Sequence, residues 1–232
     1  MRKVYIVGVG STTFGKHSGE SIESLAVAAA VDALLESTVD REQIGALYLG
    51  NFISGPLNGK EILAGIVADR IGLQNIPCTK VEGACASGGI AFRHACMAVA
   101  SGDAEAAIAV GVETMTHATT KQTTAALNCA MDNENDGPSG LTFPGLFGLA
   151  WRLHAEQFGT TRQHVSAVVK KNKANGVRNP LAQWVQRSVM RRLPTARQSV
   201  TRFNSTTAAR PAMAQRLLSS CPRSLQKRSA KH

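Results

Sequence analysis

A chain of 232 residues, 44% hydrophobic and 18% charged, has the length and composition of one globular domain or two small ones. Its five cysteines, Cys78, Cys85, Cys96, Cys129 and Cys221, are an odd number without close spacing, which argues against a disulfide framework or a zinc site. The net charge of +10 is uneven: residues 1–183 carry 15 Lys and Arg against 16 Asp and Glu, whereas residues 184–232 carry 11 basic residues and no acidic one.

The first apolar run, VYIVG at residues 4–8, reads as a buried strand. It is too short for a signal peptide, and no later stretch of about 18 apolar residues reads as a membrane span, so a cytoplasmic location without a membrane partner is expected. The run from Gly10 to Lys16, GSTTFGK, follows the phosphate-binding P-loop pattern until His17 replaces the magnesium-ligating Ser or Thr. Gly19 also separates it from the next helical pattern, so the helix N-terminus such a loop needs is missing.

From Ser21, a natural N-cap, the apolar positions Ile22, Leu25, Ala26, Ala29 and Ala33 recur at helical spacing. Residues 44–49 read as a strand, 50–59 as a glycine-rich loop, 61–71 as a helix, 78–82 as a strand, 86–101 as a helix and 106–112 as a strand. This alternation predicts an α/β fold with a mainly parallel sheet covered by helices, which binds its ligands at the carboxyl ends of the strands. Residues 117–145, rich in Thr, Asn, Asp and Gly, read as a long loop, followed by helices over 146–158 and 162–175. His154 and His164 on these helices read as surface residues. Met115, Met131, Phe143 and Phe147 fit either an acyl tunnel or ordinary core packing.

Cys85 is the chemical focus. It follows a strand and Gly83, and it precedes sixteen residues interrupted only by Arg93 and His94 and ended by Gly102. A helix apolar nearly all round is expected to be buried on most sides. A thiol at its N-terminus meets unpaired N–H groups and the positive end of the helix dipole, which favour the thiolate. Gly88 and Gly89 in the first turn cost roughly 1 kcal/mol each relative to alanine, which suggests close approach by a backbone or a substrate. The bland alternative is an inert buried cysteine in a strand-to-helix turn. A hydrolase nucleophile elbow is excluded, because Ser87 occupies its second glycine position.

The run ACASGG, the alanine-rich helix after it and SGDAEAAIAVGVETMT, with Gly111, Glu113 and Met115 as G-x-E-x-M, resemble the nucleophile region of thiolases. The resemblance covers residues 1–183, and TFPGLFGLAWRLHAEQFGTTRQHVSAVVKKNKANGVRNPLAQ is most similar to the sterol-carrier-protein type. It implies a thiolase-like N-terminal α/β half over residues 1–116, with a buried helix and covering helices, and a helical loop domain over 117–183 that forms a lid or pocket wall. It further implies a lipid-metabolising acyltransferase (acetyl-CoA C-acyltransferase) that moves an acyl group between CoA thioesters through an acyl-cysteine on Cys85. Coenzyme A or its thioester is then the substrate, no cofactor is permanently bound, and copies of the chain assemble as a homo-oligomer.

The family's second half supplies a histidine base, a second cysteine and an oxyanion hole, none of which can be matched in this chain. The expectation is therefore a truncated protein, weakly active or inactive alone. A non-catalytic acyl-CoA-binding protein is the alternative. Residues 184–232, with nine Arg and two Lys, admit three readings: a disordered basic arm for nucleic acid, a helix pair around 208–218, or an out-of-frame translation product, which accounts best for the abrupt break after NPLAQ.

Overall fold

A computed structural model describes residues 2–183. The elements are α1 (Ile22–Glu36), β1 (Ile44–Gly50), α2 (Ser54–Asn58), α3 (Leu63–Arg70), β2 (Cys78–Val81), α4 (Ser87–Ser101), β3 (Ala106–Gly111), α5 (Thr120–Leu127), α6 (Phe143–Phe158) and α7 (Arg162–Arg178). The three strands form one parallel sheet in the order β2-β1-β3, so the α/β alternation read from the sequence is the architecture found.

Strand periodicity separates the two faces of the sheet. Leu47 and Leu49 of β1 and Ile108 and Val110 of β3 join Ile22, Ala26 and Ala30 of α1 and Leu63, Ala64 and Val67 of α3 in a single aliphatic core. The opposite face carries Gly50, Ala107, Ala109 and Gly111, and α4 packs there through Ser87, Ala91, Ala95 and Ala98. Small residues on both sides let helix and sheet approach closely. A Cβ on Gly50 would lie 2.6 Å from the Gly88 nitrogen, so the first turn of α4 rests on the end of β1. The helix ends where Gly102 takes the left-handed conformation at φ 89°.

α1 starts as expected, with the Ser21 hydroxyl accepting from Ser24 N at 3.1 Å. Glu23, 2% exposed, pairs with Lys60 at its first turn. Burial raises the pKa of this carboxyl, but the Lys60 hydrogen bond, its own backbone N–H and Ser21 outweigh that and hold it at about 2.

Several expectations are corrected. Residues 4–8 are extended but are no strand of the sheet: Gly8 and Gly10 press against the Ala33 and Ala29 backbone of α1, and a cavity of about 520 Å³ separates the segment from β3. The loop at 50–59 contains α2, and the loop at 117–145 contains α5, whose Thr119 cap accepts from Gln122 N at 3.3 Å. α4 is buried chiefly on its sheet face, with Phe92 and Met97 each 48% exposed, because among the described elements the strands pack on it most extensively. α6 and α7 form, but unlike α1, α3 and α4 they make no extensive contact with the strands. The three readings of the tail concern residues 184–232, which lie outside the described residues.

Candidate functional site

The parallel strands end together, with Gly50 of β1 level with Val81 of β2 and Gly111 of β3. The segments leaving these ends build the site, as expected for an α/β sheet. After Val81 the chain passes Gly83, makes a tight turn over Ala84–Ala86 and enters α4 at Ser87. Cys85 is in that turn, one residue before the Ala86 cap, so the helix begins later than the sequence suggested and the thiol stands just outside its N-terminus.

Cys85 is exposed, which removes the reading of an inert buried thiol. Ala84 before it holds φ 48°, in the left-handed region that costs a non-glycine residue about 1 kcal/mol or more. Two hydrogen bonds of one side chain impose this geometry. The Ser87 hydroxyl donates to the Ala84 carbonyl at 2.7 Å and accepts from Gly83 N at 3.0 Å, while the Glu82 carboxylate accepts from Ala84 N. A Cβ on Gly83 would meet the far end of the Ile90 side chain, which must turn aside to admit it. The turn presenting Cys85 is thus fixed from within.

The close approach expected at Gly88 and Gly89 is differently placed. A Cβ on either would meet nothing within 4 Å, and both are exposed. The tight contact comes from Gly50 beneath, leaving the outer side of the first helical turn open next to the thiol.

Two residues at the same edge carry the neighbouring loops. Asn51, 1% exposed, donates from Nδ2 to the Val112 carbonyl at 2.8 Å and accepts at Oδ1 from Ser54 N at 3.0 Å. It ties the segment after β1 to that after β3 and caps the way into α2. Glu113 accepts from Phe52 N and, at 3.3 Å, from Ile53 N. Burial pushes its carboxyl pKa above the usual value, against the pull of these N–H groups, of Lys80 and of Asn51. Sequence reasoning passed over Asn51, although an amide directly after a strand is a turn signal. Glu113 stood in the G-x-E-x-M run without a role.

Other candidates are not gathered at Cys85. None of the five described histidines hydrogen-bonds it: His17 meets the Thr13 carbonyl, His117 the Leu57 carbonyl, His94 stacks edge-on against Tyr48, and His154 and His164 bond to Thr160 and Thr161. Met115 lines a second cavity, of about 670 Å³, between residues 10–22 and 111–117, whereas Phe147 is 71% exposed on α6. The GSTTFGK segment also lines this cavity but runs into no helix, since α1 starts only at Ile22.

Comparison with known proteins agrees with this geometry. The family model described as "Thiolase, N-terminal domain" matches residues 4–223, a span that runs past residue 183. Acetyl-CoA acetyltransferase of Methanothermobacter thermautotrophicus is 39% identical over 184 residues, covering 79% of this chain and 48% of the relative. The protein of that name from Methanocaldococcus jannaschii is 36% identical over 184 residues, covering 79% and 46%. Human sterol carrier protein 2 is 27% identical over 194 residues, covering 79% and 35%. The solved structure titled "Ltp2-ChsH2(DUF35) aldolase" matches 78% of this chain and 45% of its own with a TM-score of 0.52 at 23% identity, a likeness of fold. The chain spans about half the length of the first two relatives. With a family match over most of its residues, and with the cysteine turn, the sheet and α4 in the order the resemblance implied, this chain belongs to the thiolase family.

Proposed function

We propose that this chain supplies the acyl-accepting half of a thiolase-type acyltransferase, with Cys85 as the nucleophile and a CoA thioester as the substrate. The observation that carries the reading is the exposed Cys85 thiol, held by the Ser87-clamped turn at the head of α4 with an open first helical turn beside it. Acetyltransferases among the relatives supply the substrate class.

The step begins with Cys85 Sγ as thiolate attacking the thioester carbonyl carbon. The tetrahedral oxyanion collapses, the bond to the CoA sulfur breaks, and CoA departs as thiolate to take a proton from water, leaving an acyl group on Cys85. The fixed turn aims the sulfur, and the positive end of the α4 dipole beside it favours the negative charge that develops. With no histidine at hydrogen-bonding distance from Cys85 in the described residues, the chain alone forms the acyl-cysteine slowly, and thiolysis of acetoacetyl-CoA stays at trace level.

The test is to incubate the chain with acetyl-CoA, quench in acid and map acetyl groups by mass spectrometry. Acetylation at Cys85, abolished in Cys85→Ala and absent at Cys129, which is also exposed, is the expected result. Equal acetylation of Cys85 and Cys129, or none at Cys85, overturns the proposal.

A further inference from the structure

The two peptide planes that flank Ala84 decide where Cys85 stands. The first holds the Gly83 carbonyl and Ala84 N, the second holds the Ala84 carbonyl and Cys85 N, and φ 48° at Ala84 helps set the angle between them. Ser87 fixes the second plane, because its hydroxyl donates to the Ala84 carbonyl at 2.7 Å. The first is fixed at both ends: Ala86 N donates to the Gly83 carbonyl at 2.9 Å, and the Glu82 carboxylate accepts from Ala84 N. The backbone just before Glu82 is anchored to the sheet, since Asn51 N donates to the Val81 carbonyl at 3.2 Å. A carboxylate reaching forward to the N–H two residues on does here what the shorter Asp and Asn side chains do in turns.

Glu82 is exposed, and ordering an exposed glutamate costs side-chain entropy. The bond it makes answers a specific need of the backbone. Alanine in the left-handed region relaxes toward the right-handed or extended regions once either of its peptide planes is released. That rotation about the Ala84 backbone bonds would carry Cys85 away from the head of α4. A carboxylate is a strong restraint on such an N–H, because charge-assisted hydrogen bonds are roughly twice as strong as neutral ones. Among the described residues the Glu82 carboxylate bonds to the backbone and not to the Cys85 thiol. We infer that Glu82 is a positioning residue for Cys85, acting through the hydrogen bond from Ala84 N and not through its charge. Its part in acyl transfer rests on the proposed role of Cys85 as nucleophile, whereas its hold on the thiol does not.

Two substitutions separate the bond from the charge. Glu82→Gln keeps an oxygen at the same reach and removes the charge, whereas Glu82→Ala removes both. Each folded variant is alkylated with limiting iodoacetamide, and the rate at Cys85 is divided by the rate at Cys129, which is exposed in the turn after α5. A general loosening of the fold acts on both thiols, so the ratio reads the Cys85 turn itself. The ratio is expected to fall about fivefold in Glu82→Ala and to stay within about twofold of the parent in Glu82→Gln. Glycine adopts φ 48° readily, so in an Ala84→Gly background Glu82→Ala is expected to lower the ratio less than it does in the parent. An unchanged ratio in Glu82→Ala, a ratio in Glu82→Gln that falls as far or rises, or an equal effect of Glu82→Ala in both backgrounds overturns the inference. Incubation of the same samples with acetyl-CoA keeps the two claims apart. If the ratio responds as expected while Cys85 of the parent takes no acetyl group, the proposed function fails and the positioning by Glu82 stands.

Discussion

The two faces of the sheet are built from different materials. Under α1 and α3 the strands present Leu47, Leu49, Ile108 and Val110, and the helices answer with Ile22, Leu63 and Val67, several of them completely buried. Under α4 the strands present mostly glycine and alanine, with Tyr48 edge-on to His94, and the helix buries Ser87, Ala91, Ala95 and Ala98. Large aliphatic side chains remove much apolar area from water, so the first face carries the stability. Small residues bury little but let two backbones touch, so the second face fixes where the head of α4, and with it Cys85, comes to lie.

The contrast can be broken most severely at Gly50. In Gly50→Val the new side chain meets the Ser87 carbonyl and the Gly88 nitrogen, backbone atoms that cannot rotate away, so a loss above about 3 kcal/mol is expected together with loss of selective Cys85 labelling. Chemical denaturation and thiol mapping on one sample check both halves. Leu47→Ala, on the other face, is expected to cost about 3 kcal/mol through the cavity it leaves, yet at temperatures where it stays folded the Cys85 labelling rate should not change. If this variant slows Cys85 as much as a substitution under α4 does, the division of labour is wrong.

Ser87→Ala sharpens the comparison within the site. It strips Gly83 N and the Ala84 carbonyl of their partner, costs about 1–2 kcal/mol and frees Ala84 to leave φ 48°, so Cys85 labelling should fall further than the stability loss alone would require.

Much of this was legible in advance. The Ser21 cap, the Gly102 stop, the β/α alternation and the position of Cys85 after a strand are local signals, and all are found in the fold. The misreadings depend on partners distant in the chain. The sequence of α4 reads as buried all round, since apolar composition does not say which neighbours are present. VYIVG has strand chemistry, yet its pairing depends on what lies between it and β3. The role of Asn51 comes from Val112, sixty-one residues away, and no window reveals that bond. α2 and α5 were missed because glycine, threonine and asparagine read as loop while their caps and packing hold them helical.

The smallest effects are electrostatic. The folded Glu23 carboxyl, at about 2, lies below its ordinary value of 4.5, so its ionisation stabilises the fold above the ordinary value, and that contribution is lost as pH falls from there toward 2. Glu113 is shifted upward, so its contribution has the opposite sign: it is present at low pH and lost as pH rises through the folded value. Glu113→Gln keeps an acceptor for Phe52 N and removes the desolvated charge, so its stability at neutral pH should equal or slightly exceed that of the parent, whereas Glu23→Gln should be destabilised there and lose less on acidification. Urea midpoints between pH 3 and 7 read both.

Positioned reactivity at Cys85 is the central claim, and it is tested most directly by alkylation with limiting iodoacetamide, comparing the rates at Cys85 and Cys129 in the folded chain and again in urea. Both thiols are exposed, whereas Cys78 and Cys96 are half-buried and burial raises the Cys78 pKa, so the first pair isolates the effect of the turn. The account predicts that Cys85 reacts faster than Cys129 in the folded chain and that the two rates converge in urea. Equal rates in the folded chain, or a ratio that urea leaves unchanged, would contradict it.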